Sequence, residues 1–295
     1  MLLCPECRAP YVVGATLCSC GWQEENWENI LVFLSSVRRD RAFTEYLENY
    51  DQIASDDLAQ SILNERYIGH QAANIMDMLQ DVISGAQVCD LGVGKGYLSR
   101  LAIERGAGSV TAVDIATDYL TRLKGTGIRL VQADAENLPF LEEFDIIMCT
   151  DVLEHVFNPG SLLFCINQAL KPGGRFIVRV PFRENLLNYS PHLGCKYRFV
   201  HLRSFNKKLL KDMLTAAGFA VETVRYDGFW LSRPADFWMR GPLRQKLYLG
   251  LQSYLHQKLT SPVDVTRWPA WVARLLMPAQ EIVIRARKEI HLNRK

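Results

Sequence analysis

The segment Val88-Cys89-Asp90-Leu91-Gly92-Val93-Gly94-Lys95-Gly96-Tyr97-Leu98 carries the most chemistry in the chain. A β-branched run enters a turn with glycine at alternate positions and leaves in a helical pattern. Such glycines bring main chain within contact distance of a ligand, because a Cβ would collide with it or forbid the required φ/ψ. A dinucleotide fingerprint needs a third glycine where Tyr97 stands, and a nucleoside-triphosphate loop needs a Gly-Lys-Ser/Thr that is missing. Asp90, just before the turn, would repel a pyrophosphate and attract an ammonium group, which favours a cofactor with a positive amino-acid end. Asp114 closes the next strand, 22 residues after Gly92, where an acid hydrogen-bonds the ribose hydroxyls of an adenosine. Asp134 closes the third strand, within reach of an adenine amino group.

Those acids share one crevice only if parallel neighbouring strands carry them. From residue 86 onward β-branched runs alternate with helical patterns, which predicts an α/β fold: a Rossmann-like, doubly wound, mostly parallel seven-stranded sheet. The predicted strands are Gln87 to Leu91, Val110 to Asp114, Ile128 to Gln132, Asp145 to Cys149, Arg175 to Val180, Ala220 to Tyr226 and Glu281 to Arg287. Asn158 caps a predicted helix that opens at Pro159 and stops at Pro172-Gly173-Gly174, and a second, through Leu209, Leu210, Met213, Leu214 and Ala217, ends at Gly218. Upstream, Ile30, Leu31, Phe33, Leu34 and Val37, and then Ile75, Met76, Met78, Leu79 and Val82, show helical spacing, so residues 24–85 are expected to be a helical segment. Residues 228–279, before the last strand, form a helical insertion in which Trp230, Phe237, Trp238, Tyr248, Tyr254, Trp268 and Trp271 alternate with Arg and Lys. Three readings suit it: an extra layer on the sheet, a lid over the substrate, or a peripheral membrane contact.

Four of the eight cysteines, Cys4, Cys7, Cys18 and Cys20, fall within the first 20 residues, and the others are scattered, unlike a disulfide framework. Ten residues separate the two pairs, so two thiolate hairpins can close a four-sulfur zinc site. Residues 1–23 are therefore read as a zinc ribbon with structural Zn2+, which supplies the folding free energy so short a module lacks. The second hairpin has one residue between its cysteines instead of the usual two or more.

With 48% hydrophobic and 22% charged residues, the 295-residue chain is an ordinary globular one, which excludes disordered and fibrous classes. No run approaches the roughly 18 apolar residues of a membrane span, and the N-terminal sequence lacks a secretory pattern, so a cytoplasmic location is expected. Residues 196–295 carry 19 Lys/Arg against 7 Asp/Glu, whereas residues 1–195 carry 15 against 25. Such asymmetry suggests that the C-terminal third meets something anionic.

Taken together, Val88 to Gly96, Val110 to Ile115, Val131 to Phe140, Phe144 to Val156 and Leu170 to Val180 resemble the class I S-adenosylmethionine-dependent methyltransferases over roughly residues 86–226, with the last strand returning near 280. The resemblance implies S-adenosyl-L-methionine as cofactor: Asp90, Gly92, Gly94 and Gly96 around its methionine moiety, Asp114 on the ribose, Ile115, Asp134 and Ala135 on the adenine, and Thr150 or Asp151 beside the sulfonium. Asp151 and His155 are the candidate acid–base groups, His155 as general base or hydrogen-bond partner. Similar Glu-His elements in some quinone-pathway and RNA-end methyltransferases imply a divalent cation on Asp151, Glu154 and His155. Tyr197, His201 and Arg203 lie where the family commonly binds its acceptor. A ribbon ahead of such a domain also resembles ribosomal RNA guanine methyltransferases, but Glu6, Glu24, Glu25 and Glu28 make this one acidic. The expected acceptor is therefore a small or lipid-like molecule, with RNA methylation and non-catalytic cofactor binding as the alternatives.

Overall fold

In the computed structural model, residues 1–14, 17–35, 41–59, 65–182, 184–227, 241–260 and 279–292 are described. The chain begins with a short hairpin, β1 (Leu2–Leu3) and β2 (Pro10–Tyr11), followed by β3 (Glu25–Trp27) and β4 (Ile30–Phe33). Two helices follow, α1 (Arg41–Ala59) and α2 (Glu65–Asp77). Alternation then sets in: β5 (Gln87–Leu91), α3 (Tyr97–Glu104), β6 (Ser109–Asp114), α4 (Thr117–Thr121), β7 (Arg129–Ala133), β8 (Phe144–Thr150), α5 (Pro159–Ala169) and β9 (Leu170–Pro181). The chain continues through α6 (Lys207–Ala216), β10 (Phe219–Asp227), α7 (Pro242–Thr260) and β11 (Glu281–Lys288).

All seven predicted strands are present, in one sheet of order β10-β11-β9-β8-β5-β6-β7-β4-β3. Strands β7, β6, β5, β8 and β9 are parallel, and β11 runs antiparallel to both β9 and β10. The chain winds outward from β5 in one direction and then returns past it to β8, so the crevice between β5 and β8 is the switch point where this architecture binds ligands. Both faces are covered. Cys89, Leu91, Val113 and Ile147 pack with α5 and α6 on one side, and Val88, Val110, Ala112 and Met148 with α2 and α3 on the other.

The sheet has nine strands instead of seven because residues 25–33 are not helical. Ile30 to Phe33 pair in parallel with Leu130 to Ala133 on β7, and β3 pairs antiparallel with β4. An apolar run of this length fits either period, and the unpaired edge of β7 decides in favour of a strand. Glu28 and Asn29, both at positive φ (49° and 70°), form the two-residue hairpin loop that right-twisted strands prefer. Similarly, α5 stops at Ala169, ahead of Pro172-Gly173-Gly174, and the glycines lie within β9.

Of the insertion at 228–279, α7 is described, and Trp230, Phe237, Trp238, Trp268 and Trp271 lie outside the described residues. Among the described residues no helix is long and apolar enough to cross a membrane. Among the described residues, part of the positive charge of the last third is paired with acids of the same chain. Arg198 lies 3.1 Å from Glu45, Arg285 binds Asp81 through two nitrogens at 2.5 and 2.8 Å, and Lys196 pairs with Asp56. These acids belong to the negative first two thirds, so part of the asymmetry is met within the chain.

Phe33, 1% exposed, meets the rings of Tyr11 and Trp22 at 6.0 and 5.2 Å. Phe33→Ala is expected to cost about 3–5 kcal/mol in urea unfolding, against about 0.5 kcal/mol or less for a residue on a solvated helix face.

Candidate cofactor and acceptor site

The glycine turn joins β5 to α3 above the switch point. Gly92 packs so closely on Val152 that an added Cβ would come within 2.2 Å of it. Gly94 has φ +48°, and its N–H donates to Asp114 Oδ2 at 3.2 Å; a Cβ there would meet nothing within 4 Å, because the position faces a cavity. Gly96 differs from the expectation. It stands before α3 at φ +75°, where a Cβ would strike Leu123 at 2.5 Å, and it does not line the cavity. Its part is to let the helix approach Leu123, in the turn after α4.

The three acids do converge on that cavity, whose volume is about 1280 Å³. Asp90 is 1% exposed and accepts the Ser99 hydroxyl at 2.6 Å; burial pushes its carboxyl up to about 7. Asp114 accepts the Ala116 N–H at 3.0 Å as well as that of Gly94, and burial pushes it up to about 6. Asp134 accepts the Glu136 N–H at 2.8 Å and so caps a short 3-10 turn, Ala135–Asn137. Ile115, Ala135 and Thr150 line the same space, which is large enough for a nucleoside cofactor and an acceptor together.

Beyond Thr150 the cavity turns polar. Asp151, at φ +55°, is clamped by Arg179 of β9 through Nε–Oδ1 at 3.2 Å and a second Nη2–Oδ2 bond. Both of its carboxylate oxygens are thus engaged by Arg179, unlike the free acid–base group expected. Glu154 is fully buried, and neither of its carboxylate oxygens has a hydrogen-bond partner. Burial, reinforced by Asp151, raises its pKa well above the carboxylate range. His155 Nε2 lies 3.9 Å from Glu154; burial, and next His201, push the imidazole down to about 3, so it is neutral at physiological pH. His201 stands with its ring 4.7 Å from that of His155, its Nδ1 bonded to Glu184 and its face stacked on Tyr189 at 4.1 Å. One donor atom each from Glu154, His155 and His201 lies within 4.8 Å of the others. Two imidazoles and a buried carboxylate lacking partners suit a divalent cation, with His201 in the place expected of Asp151.

Tyr197 lines the cavity and donates to Asp56 at 2.8 Å. Arg203 does not line it: both terminal nitrogens bind main-chain carbonyls, those of Val156 and Phe157, so it shapes the loop after Glu154 instead of touching an acceptor.

Sequence reasoning missed the roof. Tyr46 and Tyr50 of α1 line the cavity, Tyr50 donates to Phe199 O at 2.9 Å, and Asp57 meets Lys95 of the glycine turn at 3.1 Å. Tyrosines four residues apart signal one helix face, but nothing local tells what that face covers. Glu184 and Tyr189 were missed as well, for the same reason.

At the N-terminus the thiols lie together: Cys4 and Cys20 Sγ are 3.6 Å apart, Cys7 and Cys18 3.5 Å, and all four fall within 4.8 Å. Zinc–sulfur bonds of about 2.3 Å give tetrahedral edges of about 3.8 Å. The short Cys18–Cys20 spacing is therefore no obstacle to a four-sulfur site.

A doubly wound sheet with its antiparallel strand next to the edge, a glycine turn after the first strand of the alternating series and acids ending three successive strands define a class I S-adenosylmethionine-dependent methyltransferase. Residues 63–224 match the family described as "Methyltransferase domain", and the chain belongs to it. A ubiquinone biosynthesis O-methyltransferase of Xylella fastidiosa (strain 9a5c) is 39% identical over 146 residues, 47% of this chain and 58% of that protein. Its counterpart in Hydrogenovibrio crunogenus is 35% identical over 100 residues, 31% of this chain and 41% of that one. The chain thus spans about half the length of these curated relatives. Among solved structures, the 1,6-didemethyltoxoflavin-N1-methyltransferase of Burkholderia thailandensis, bound to its acceptor and S-adenosylhomocysteine, superposes with a TM-score of 0.54 at 18% identity, covering 85% of this chain and 91% of that one. An S-adenosylmethionine-dependent methyltransferase of Mesorhizobium loti gives 0.50 at 20% identity, covering 74% and 99%. At such identities these two matches show the fold alone.

An ammonium group or a diol is held best by an ionised carboxylate, and acidification protonates Asp90 and Asp114 near pH 7 and 6. Calorimetric affinity for S-adenosylhomocysteine is therefore expected to fall from pH 8 to 5.5, on the order of tenfold or more, and Asp90→Asn should remove the limb near pH 7. The ligand-free protein has the opposite sign: a carboxyl whose folded pKa is raised destabilises the fold above that pKa, and the penalty fades as pH falls.

Proposed function

We propose that the protein transfers the methyl group of S-adenosylmethionine to a hydroxyl oxygen of a small, aromatic or quinol-like acceptor. The carrying observation is the buried Glu154 carboxylate, without a hydrogen bond, flanked by His155 and His201 in the cavity that the three acids line. Similarity to ubiquinone biosynthesis O-methyltransferases supports oxygen as the target.

Asp90 and the glycine turn hold the amino-acid end of the cofactor, Asp114 the ribose, and Ile115, Asp134 and Ala135 the adenine. Transfer from a sulfonium is a displacement at carbon, so the protein's main tasks are alignment and exclusion of water. Tyr46 and Tyr50 supply the roof for the second task. Glu184 binds His201 at Nδ1 and so fixes the imidazole beside Glu154 and His155. Glu154, His155 and His201 would hold a divalent cation, which, when bound, makes a coordinated hydroxyl more acidic. Tyr197 lies at the acceptor end of the cavity.

Cys4, Cys7, Cys18 and Cys20 hold a structural zinc ion in this reading. Glu6, Glu24 and Glu25 around it oppose an RNA-gripping role. Helix α7 favours a lipid-like acceptor: Tyr248 and Leu249 reach the cavity, and Leu243, Leu247 and Leu251 are exposed in a segment that also carries Arg244 and Lys246. A soluble enzyme working at the cytoplasmic face of a membrane fits these features.

The test offers labelled S-adenosylmethionine with 3,4-dihydroxybenzoate, a lipid extract and total RNA in separate tubes. Label is expected in the catechol or lipid tube, to be lost in EDTA and restored by magnesium. Glu154→Gln should abolish transfer, and Glu184→Gln should lower it by about 10- to 100-fold. Label confined to RNA would replace this reading, and full activity in EDTA would remove the cation.

A further inference from the structure

We infer that the metal-bound cysteine module positions the adenine end of the cofactor site through Arg8 and Asn137, so that metal loading sets cofactor affinity. The inference rests on the cofactor and zinc readings above and adds a task for the module that neither contains.

The module is not a separate bead on the chain. Its first knuckle, Cys4-Pro5-Glu6-Cys7-Arg8, closes through Arg8 N–H on Cys4 O and Cys4 N–H on Ala9 O, both at 2.9 Å, with Arg8 at φ +62°. A metal on Cys4 and Cys7 fixes this turn at both of its ends. The knuckle then grips the segment after β7. Arg8 Nη1 donates to Leu138 O at 2.8 Å and to Asn137 Oδ1 at 3.1 Å, while Asn137 Nδ2 donates to Pro5 O at 2.8 Å. Leu3 N–H reaches Pro139 O at 2.8 Å, and Leu2 and Cys4 are buried in one core with Leu138 and Phe140.

Asn137 is the last residue of the turn that Asp134 caps, and its N–H donates to Asp134 O at 2.9 Å. Asp134 and Ala135 are the residues that line the cavity, so the grip acts within three residues of them. From the opposite side, Glu136 accepts the Phe157 N–H at 2.8 Å. The adenine turn is thus held between the main domain and the knuckle. Releasing the metal frees the knuckle, because a module this short has little core of its own. The turn then loses one of its two supports.

The experiment uses the full-length protein and calorimetric binding of two probes, S-adenosylhomocysteine and methylthioadenosine, which share the adenosine but not the amino-acid end. Zinc content is measured alongside, and a thermal melt reports folding. Arg8→Ala, Asn137→Ala and the chelator-stripped wild type are each expected to bind both probes about tenfold more weakly, by the same factor for each probe. Zinc should restore the stripped protein, and Arg8→Lys should recover part of the loss. Lys208→Ala, on an exposed stretch of α6, serves as control. A lower melting temperature with unchanged affinities would reduce the module to structural support and overturn the inference, as would a loss confined to S-adenosylhomocysteine. Wild type that binds neither probe would remove the cofactor reading itself, a distinct result. If Arg8→Ala does not fold, Asn137→Ala gives the same answer, since that side chain lies outside the module.

Discussion

Burial of carboxylates at the tips of parallel strands is the constraint from which the rest of the structure follows. Asp90, Asp114 and Asp134 end β5, β6 and β7, or stand just inside or beyond their last residues, and each is less than a tenth exposed. An acid so placed is costly unless hydrogen-bonded, and here the partners are close at hand: a serine on α3 and main-chain N–H groups of the adjoining turns. All three residues line the cavity. Burying these carboxylates stores an electrostatic cost that a ligand bringing positive charge or hydrogen-bond donors to them would relieve.

A second set of buried polar groups sits at the acceptor end and is arranged differently. Asp151 is neutralised by Arg179, whereas Glu154, three residues later, has no such partner. His155 is held neutral by burial, and His201 is oriented by Glu184 and by stacking on Tyr189. Two acids close in sequence thus have opposite fates, decided by which strand or loop faces them. The roof joins the two ends, because α1 touches the glycine turn through Asp57 and the acceptor loop through Asp56 and Tyr50.

What was legible in the sequence is what local physics specifies. Strands β5 to β11 announced themselves through β-branched runs, α5 through Asn158 and Pro159, and the three cavity-lining acids through their place at the ends of those strands. The cysteine cluster needed only spacing. What was not legible depends on long-range encounters. Ile30 to Phe33 became a strand because β7 had an open edge, and Arg203 left the acceptor for two carbonyls that a loop happened to present. Gly96 matched a ligand-contact motif but serves packing against Leu123. The charge asymmetry pointed outward to an anionic partner, yet three of those cations, Arg198, Lys196 and Arg285, meet Glu45, Asp56 and Asp81 of the same chain.

The pairing of β4 with β7 also bears on what the molecule avoids. In its absence, Arg129 to Ala133 would present a row of unsatisfied main-chain donors and acceptors at the rim of a large sheet, an open template for other chains. The β3–β4 hairpin covers that rim and ends in a short strand whose three residues are all exposed and polar or amphipathic, a poor surface for further growth. Removing the first 35 residues would thus yield a sticky particle prone to stack on its own kind, and not a smaller soluble catalyst.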